Sequence, residues 1–190
     1  MERDDKTEKK QFLRKKFLEL REKLSDIEVK EKSSKVIERL VELEKFKLSK
    51  NILIYYPFKK EIDTLELLKY KNKNFYFPVI DFEHKELLIR KYNGKFVKNK
   101  FGIYEPTKLE NDGDIDSLEI IDFILVPGIV FDKRCFRIGY GGGYYDRLLK
   151  KAKSFSCGIC YDFQIIDFLP VEEYDVRVSC VLSENFFIQV

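Results

Sequence analysis

Apolar residues in the first fifty positions recur every three or four residues. Phe12, Leu13, Phe17, Leu20 and Leu24 form one stripe among lysines and arginines, which predicts an amphipathic helix over residues 6–24. A second helix follows Ser25 or Asp26, with Val29, Val36, Ile37, Leu40, Val41 and Leu43 as its apolar marks, and ends before the polar LSKN. At Asn51 the period changes to short apolar runs. NILIYYP reads as a strand closed by proline, DTLELLKY as a helix opened by Asp63 and Glu66 at capping-box spacing, and NFYFPVI as the next strand. LLIRKYNGKFVKN alternates and carries Asn93-Gly94, the residue pair of a type I′ turn, so it predicts a hairpin. EIIDFILVPG, SFSCGICY, VSCVLS and FFIQV supply the later strands, and a helix over 144–152 lies between the first two of these.

Strands that are apolar on both faces and separated by helices imply a mainly parallel sheet covered on both sides. The expected fold is therefore α/β: a three-layer, Rossmann-like sheet with helices on both faces and a small hairpin excursion. Residues 1–190 read as a single domain, with a helical segment at about 6–45 and a sheet core at about 51–190. Ligands of such sheets bind beyond the carboxyl ends of the strands. Three loops should converge there: YYPFKKE, VPGIVFDKRCFRIGYGGGYYD and CYDFQ.

Composition narrows the function by exclusion. Lys+Arg 36 against Asp+Glu 33 leaves a net charge of +3, too balanced for a dedicated nucleic-acid binder. The longest apolar runs, such as FILV at 123–126, are far too short to span a bilayer, and the charged N-terminus lacks the apolar core of a signal peptide. The expectation is a cytoplasmic protein without a nucleic-acid or membrane partner. Of the four cysteines, Cys135, Cys157, Cys160 and Cys180, only the pair in CGIC has a redox or metal spacing. That pair sits in a buried-strand pattern with no second CxxC, so the thiols read as structural. His84, in the polar segment DFEHKE, reads as a solvated turn residue.

The chemistry concentrates in RIGYGGGYYDRLLKKA, residues 137–152, where four glycines occupy five positions before a helix. A dinucleotide fingerprint read from Gly139 would need glycine at 144, which is tyrosine, and no glycine-lysine-serine or -threonine ending marks a P-loop. On the residues alone, a phosphate cradle at a helix start and a tight strand-to-helix turn both remain open. Arg134 and Arg137 before the glycines supply fixed positive charge, and Asp146 after them is a hard oxygen ligand suited to Mg²⁺.

The longer stretch LVPGIVFDKRCFRIGYGGGYYDRLL closely resembles the signature of the 5-formyltetrahydrofolate cyclo-ligase family. KQFLRKK near the start, EID at 61–63, GIYEP at 102–106, Gln164 and LPVEEYD at 169–175 resemble the same family, in order. The resemblance implies a monomeric enzyme that uses ATP as co-substrate and Mg²⁺ to close 5-formyltetrahydrofolate to 5,10-methenyltetrahydrofolate. It assigns ATP to Lys10, Arg14, Arg134 and Arg137 and to the loop Gly139, Tyr140, Gly141, Gly142, Gly143, Tyr144 and Tyr145. It assigns the metal to Asp146 and Asp175, and the pterin to Tyr56 and Glu61, with Tyr140 and Tyr144 lining the shared space. Arg137, Tyr144 and Asp146 become the catalytic set. Cys135, where the family pattern has glycine, and Ser179, where it has an acid, depart from the signature. Two other readings fit parts of the sequence: a phosphate-ester enzyme that needs no ATP, and a non-catalytic nucleotide or RNA module.

Overall fold

The apolar runs after residue 50 assemble into a seven-stranded sheet in the computed structural model, which describes residues 2–100, 102–108 and 116–190, with side chains from residue 5 onward. Helices α1 (Glu2–Glu22), α2 (Asp26–Glu42) and α3 (Glu44–Leu48) precede β1 (Asn51–Leu53). A 3₁₀ turn (Leu65–Lys69) links β1 to β2 (Asn74–Asp81), and β3 (Glu86–Lys91), β4 (Phe96–Lys98) and β5 (Tyr104–Pro106) follow. Next come β6 (Phe123–Val126), β7 (Val130–Asp132), β8 (Arg137–Ile138), α4 (Tyr144–Lys151), β9 (Phe155–Ile159), β10 (Ile165–Ile166), β11 (Cys180–Leu182) and β12 (Phe187–Gln189).

The main sheet has the order β12-β11-β9-β6-β1-β2-β3. Its five inner strands are parallel, and β3 and β12 join antiparallel at the edges. The chain steps from β1 outward to β2, then returns to the other side of β1 at β6, so the direction of winding reverses between β1 and β6. That reversal opens a crevice at the carboxyl ends of those two strands.

One face of the sheet is covered by α2 and α3, whose Val36, Ile37, Leu40 and Phe46 pack on Ile52, Phe123, Leu125 and Cys157. The other face meets Leu148 and Leu149 of α4 and Phe131 of β7, against Leu53, Ile124, Val126 and Val181. A small sheet, β10-β7-β8, stands beyond this face, and α1 lies across it through Phe17, Ile129, Val130, Ile138 and Leu169. Gly158 of the CGIC segment serves that packing: a Cβ there would stand 2.4 Å from the Phe131 ring. All four cysteines are free and buried, as structural thiols should be.

Local sequence signals hold where their partners are local. Ser25 caps α2 and Glu28 completes the capping box. Asp63 does accept from the Leu65 amide at 2.9 Å, but Glu66 is committed to Lys69 and Ser34, and the expected helix shortens to the 3₁₀ turn. The hairpin expected at Asn93-Gly94 does not form. Gly94 takes φ +91° but Asn93 does not enter the positive region; its side chain binds Thr107 instead. Strand β3 pairs with β2 through the turn at 82–85, where His84 is exposed, and β4 pairs with β5. On α1 the buried face is also rotated from expectation. Phe12 and Leu20 are exposed, whereas Lys10, Leu13, Arg14, Phe17 and Arg21 turn inward.

The two departures from the family pattern have visible places. Ser179 pairs with Ser156, donating its amide to the Ser156 carbonyl at 2.9 Å and accepting from the Ser156 amide at 3.2 Å. Cys135 stands in the turn between β7 and β8 at φ +65°, a left-handed conformation that costs a side-chain-bearing residue about 1–2 kcal/mol. Glycine would adopt it freely. The expected outcome is an inverted series: Cys135→Gly at least as stable as Cys135→Ala by urea unfolding, although glycine is ordinarily the worse of the two by about 0.5–1 kcal/mol. A Gly variant less stable than the Ala variant by that margin would contradict it.

Candidate functional site

Four segments meet beyond the carboxyl ends of β1 and β6. The first is the loop after β1. It passes through two consecutive left-handed residues, Lys59 (φ +47°) and Lys60 (φ +56°), before Glu61. The loop is pinned by side chains: Thr64 Oγ1 donates to the Tyr55 carbonyl, Tyr55 Oη to the Ile62 carbonyl at 3.3 Å, and Tyr161 Oη to the Lys60 carbonyl at 3.0 Å. These bonds bury Glu61, whose Oε2 accepts from the Phe58 amide at 3.0 Å. Burial raises its carboxyl to about 7, with Arg21, the Phe58 amide and the Tyr140 hydroxyl pulling the other way.

The second segment is the turn after β6, held by Gln164, whose Nε2 donates to the Gly128 and Ile129 carbonyls at 3.2 and 2.7 Å. The third is the end of α1. Arg21 is almost fully buried, donating to the Gly128 carbonyl at 3.3 Å and to Tyr140 Oη at 2.5 Å, with Glu61 Oε1 at 3.9 Å from Nη1. Two buried polar atoms here have no hydrogen-bond partner among the described residues, Arg21 Nε and Tyr145 Oη.

The glycine loop is the fourth. Gly141 (φ +101°) and Gly143 (φ +65°) require glycine for their backbone; Gly142 does not, and is restricted instead by the Tyr144 ring, 2.7 Å from where its Cβ would stand. Gly143 is the N-cap of α4 and supplies no side-chain acceptor, so the first-turn amides of α4 are not capped by a side chain. Arg14 holds the loop from α1, its Nε donating to the Gly139 carbonyl at 2.8 Å, and Arg147 holds it from α4 through the Gly142 carbonyl at 2.8 Å.

Beside the loop two buried or half-buried cations meet acids. Arg137 is buried and donates to Asp146 Oδ1 at 3.2 Å and to the Val176 carbonyl at 3.1 Å; burial lowers its pKa against the pull of Asp146. Lys10 Nζ lies 2.6 Å from both Glu172 Oε2 and Asp175 Oδ2, and although burial opposes it, Asp175 and Glu172 raise its pKa. Among the described residues, no three His, Cys, Asp or Glu side chains gather as a metal-ligand set. Asp146 uses only Oδ1 for its contacts with Arg137 and the Val176 amide, and Asp175 only Oδ2 for its contacts with Lys10 and the Glu172 amide. One oxygen of each carboxylate stays outside these bonds, which suits a cation that takes its remaining ligands from a phosphate.

The model of the 5-formyltetrahydrofolate cyclo-ligase family matches residues 6–184. The chain belongs to that family. It is 34% identical over 185 residues to the 5-formyltetrahydrofolate cyclo-ligase of Haemophilus influenzae, covering 93% of this chain and 98% of that one. The cyclo-ligase of Mycoplasma genitalium is 31% identical over 183 residues, with 93% and 98% covered. The fold of the present chain is similar to the solved 5,10-methenyltetrahydrofolate synthetases of Aquifex aeolicus (TM-score 0.82, 36% identity, 95% and 92% covered) and Mycoplasma pneumoniae (TM-score 0.74, 27% identity, 93% and 99% covered). No helix among the described residues is long and apolar enough to cross a membrane.

Two of the residues singled out from the sequence, Arg134 and Tyr56, stand apart from the segments that meet here. Arg134 lies at the far end of the β7–β8 hairpin from the glycine loop, its guanidinium bound to Asp132 Oδ2 at 2.6 and 2.9 Å and to the Leu169 carbonyl at 2.8 Å. Tyr56 stands to one side in an aromatic group, 4.5 Å from the Tyr104 ring and 5.0 Å from Phe96. Arg21 lies outside the residues singled out from the sequence. Its signal was present, because Lys10, Arg14, Phe17 and Arg21 are spaced to share one helix face, but the stripe drawn through Phe12 and Leu20 hid it.

The pH response follows from Glu61. Its carboxyl in the folded chain, at about 7, lies above its ordinary 4.5, so its stabilising contribution is complete below 4.5 and is lost as pH rises through 7. Between pH 4.5 and 8 the wild type should therefore lose about 3 kcal/mol of unfolding free energy relative to Glu61→Gln. Parallel stability curves for the two proteins would show that Glu61 titrates normally.

Proposed function

We propose that the protein closes 5-formyltetrahydrofolate to 5,10-methenyltetrahydrofolate with ATP and Mg²⁺, releasing ADP and phosphate, as a cytoplasmic monomer without a nucleic-acid or membrane partner. The observation that carries this reading is the meeting of two dissimilar half-sites at Tyr140. On one side of it lies Glu61, a buried acceptor suited to the ring N–H and amino donors of a pterin. On the other lies the glycine loop, with left-handed backbone and a helix start suited to phosphate oxygens.

The chemistry accounts for ATP. A formyl amide is a weak electrophile, and ring closure through N10 must expel its oxygen, which leaves badly as hydroxide. Attack of the formyl oxygen on the γ-phosphorus forms an O–P bond and breaks the bond to ADP. N10 then adds to the activated carbon and loses its proton, and the C–O bond breaks with phosphate as the leaving group. The protein's work is alignment and charge neutralisation.

In this reading Lys10 and Arg14 meet the nucleotide from α1, and the backbone from Gly139 to Tyr145 cradles its phosphates. Tyr144 lines the space where formyl oxygen and γ-phosphate meet. Arg137 neutralises charge and orients Asp146; Asp146 and Asp175 would hold Mg²⁺, which screens the phosphates during transfer. Tyr56 and Tyr140 flank the pterin. Arg134 has a structural role in the hairpin rather than a place at the nucleotide.

The deciding experiment is absorbance of the conjugated methenyl product, which should form from 5-formyltetrahydrofolate only with Mg-ATP. Formation without ATP, or none with it, would refute the proposal. Arg14→Ala tests the nucleotide end, since Arg14 is half-buried and grips one carbonyl. It should weaken ATP binding about tenfold while unfolding free energy changes by about 1 kcal/mol or less. Unchanged ATP affinity by calorimetry would remove Arg14 from the site.

A further inference from the structure

Arg21 has no role in the reaction described above, yet it is one of the most buried side chains in the protein, at 1% exposure. Removing a guanidinium from water is costly unless charge and hydrogen bonds replace the hydration. Here the compensation is incomplete. Two of its contacts, the Gly128 carbonyl and the Tyr140 hydroxyl, are neutral, and Nε has no partner among the described residues. Among the described residues the single carboxylate it meets is Glu61, at 3.9 Å, too long for a hydrogen bond and close enough for strong Coulomb attraction. An arginine kept only for packing has no need of this arrangement, and a methionine would fill the space at less cost.

We propose that Arg21 is a positioning residue for the folate end of the site: its charge favours the ionised form of the Glu61 carboxylate, the acceptor for pterin donors, and its bond to Tyr140 ties that carboxylate to the glycine loop. The inference rests on the reading of Glu61 as the pterin acceptor. It also explains why Glu61 can be so deeply buried and still serve: Arg21 is foremost among the groups that hold its carboxyl down against burial.

Other groups facing Glu61 do not compete for the titration. Tyr55 from the loop after β1, Tyr140 from the glycine loop, Tyr145 from α4 and Tyr161 after β9 are all raised by burial above the usual phenol range, so they stay neutral from pH 5 to 9. Lys60, next in sequence, turns its ammonium to the Glu22 and Leu24 carbonyls. An acidic limb in folate affinity therefore belongs to Glu61.

The test is equilibrium titration of the full chain with 5-formyltetrahydrofolate, without ATP, from pH 5.5 to 9. Wild-type affinity should weaken below a midpoint near 7. In Arg21→Gln the carboxyl loses its counter-charge, the midpoint moves up by about one unit, affinity at pH 6.5 falls about tenfold, and the two curves converge by pH 9. Arg21→Met, which fills the buried volume without charge, should do the same and serves if the glutamine variant fails to fold; Arg21→Lys should restore the midpoint. A loss of affinity by one constant factor at every pH, or an unmoved midpoint in a folded Arg21→Gln or Arg21→Met protein, overturns the proposal. Glu61→Gln separates it from the reading beneath: it should give weak, pH-independent folate affinity, and if it leaves wild-type affinity and its acidic limb in place, the folate assignment of Glu61 fails and the role of Arg21 fails with it.

Discussion

A guanidinium withdrawn from water draws together whatever polar groups the chain can bring to it, and Arg21 draws together the whole site. Its contacts reach the turn after β6 through Gly128, the glycine loop through Tyr140 and the loop after β1 through Glu61, while its own backbone belongs to α1. The sheet prepares the place, because winding reverses between β1 and β6 and leaves the carboxyl ends of those strands uncovered by their own crossovers. Helix α1 then closes the crevice from outside the sheet, anchored on the small β7–β8–β10 sheet by Phe17. Lys10, Arg14 and Arg21 are delivered in a row along it.

Irregular backbone appears where this site needs it. Lys59 and Lys60 turn the first loop so that Glu61 points inward, and Gly141 and Gly143 shape the second so that the helix start of α4 faces the same space. Such conformations persist only when neighbours hold them. Here Tyr161, Tyr55 and Thr64 brace the first loop, and Arg14 and Arg147 brace the second. The result is a braced frame around the groups that face the crevice, which is the arrangement positioning chemistry requires.

Much of this was legible in the residues, and the division is physical. The parallel strands could be read because FILV and SFSCGI are apolar on both faces, and α2 because Ser25 and Glu28 satisfy each other within one turn. The NG turn failed because Asn93 found a better partner fourteen residues away in Thr107, and the Asp63 helix failed because Glu66 was drawn to Lys69 and Ser34. Tertiary contacts overrode both local signals. Arg21 was missed for a related reason: apolarity marks the buried face of a helix only when burial is hydrophobic, and the inner face of α1 is largely ionic. The left-handed turn at Cys135, φ +65°, is a backbone demand that composition does not display.

In the proposed reaction the formyl oxygen itself is phosphorylated, where the folate and nucleotide ends meet beside Tyr140. This step is tested most directly by labelling. With 5-formyltetrahydrofolate carrying ¹⁸O in the formyl group, a single turnover with Mg-ATP should place the label in the released phosphate, read by mass spectrometry. Unlabelled phosphate, with the ¹⁸O recovered in water, would contradict the mechanism and the shared site on which it depends.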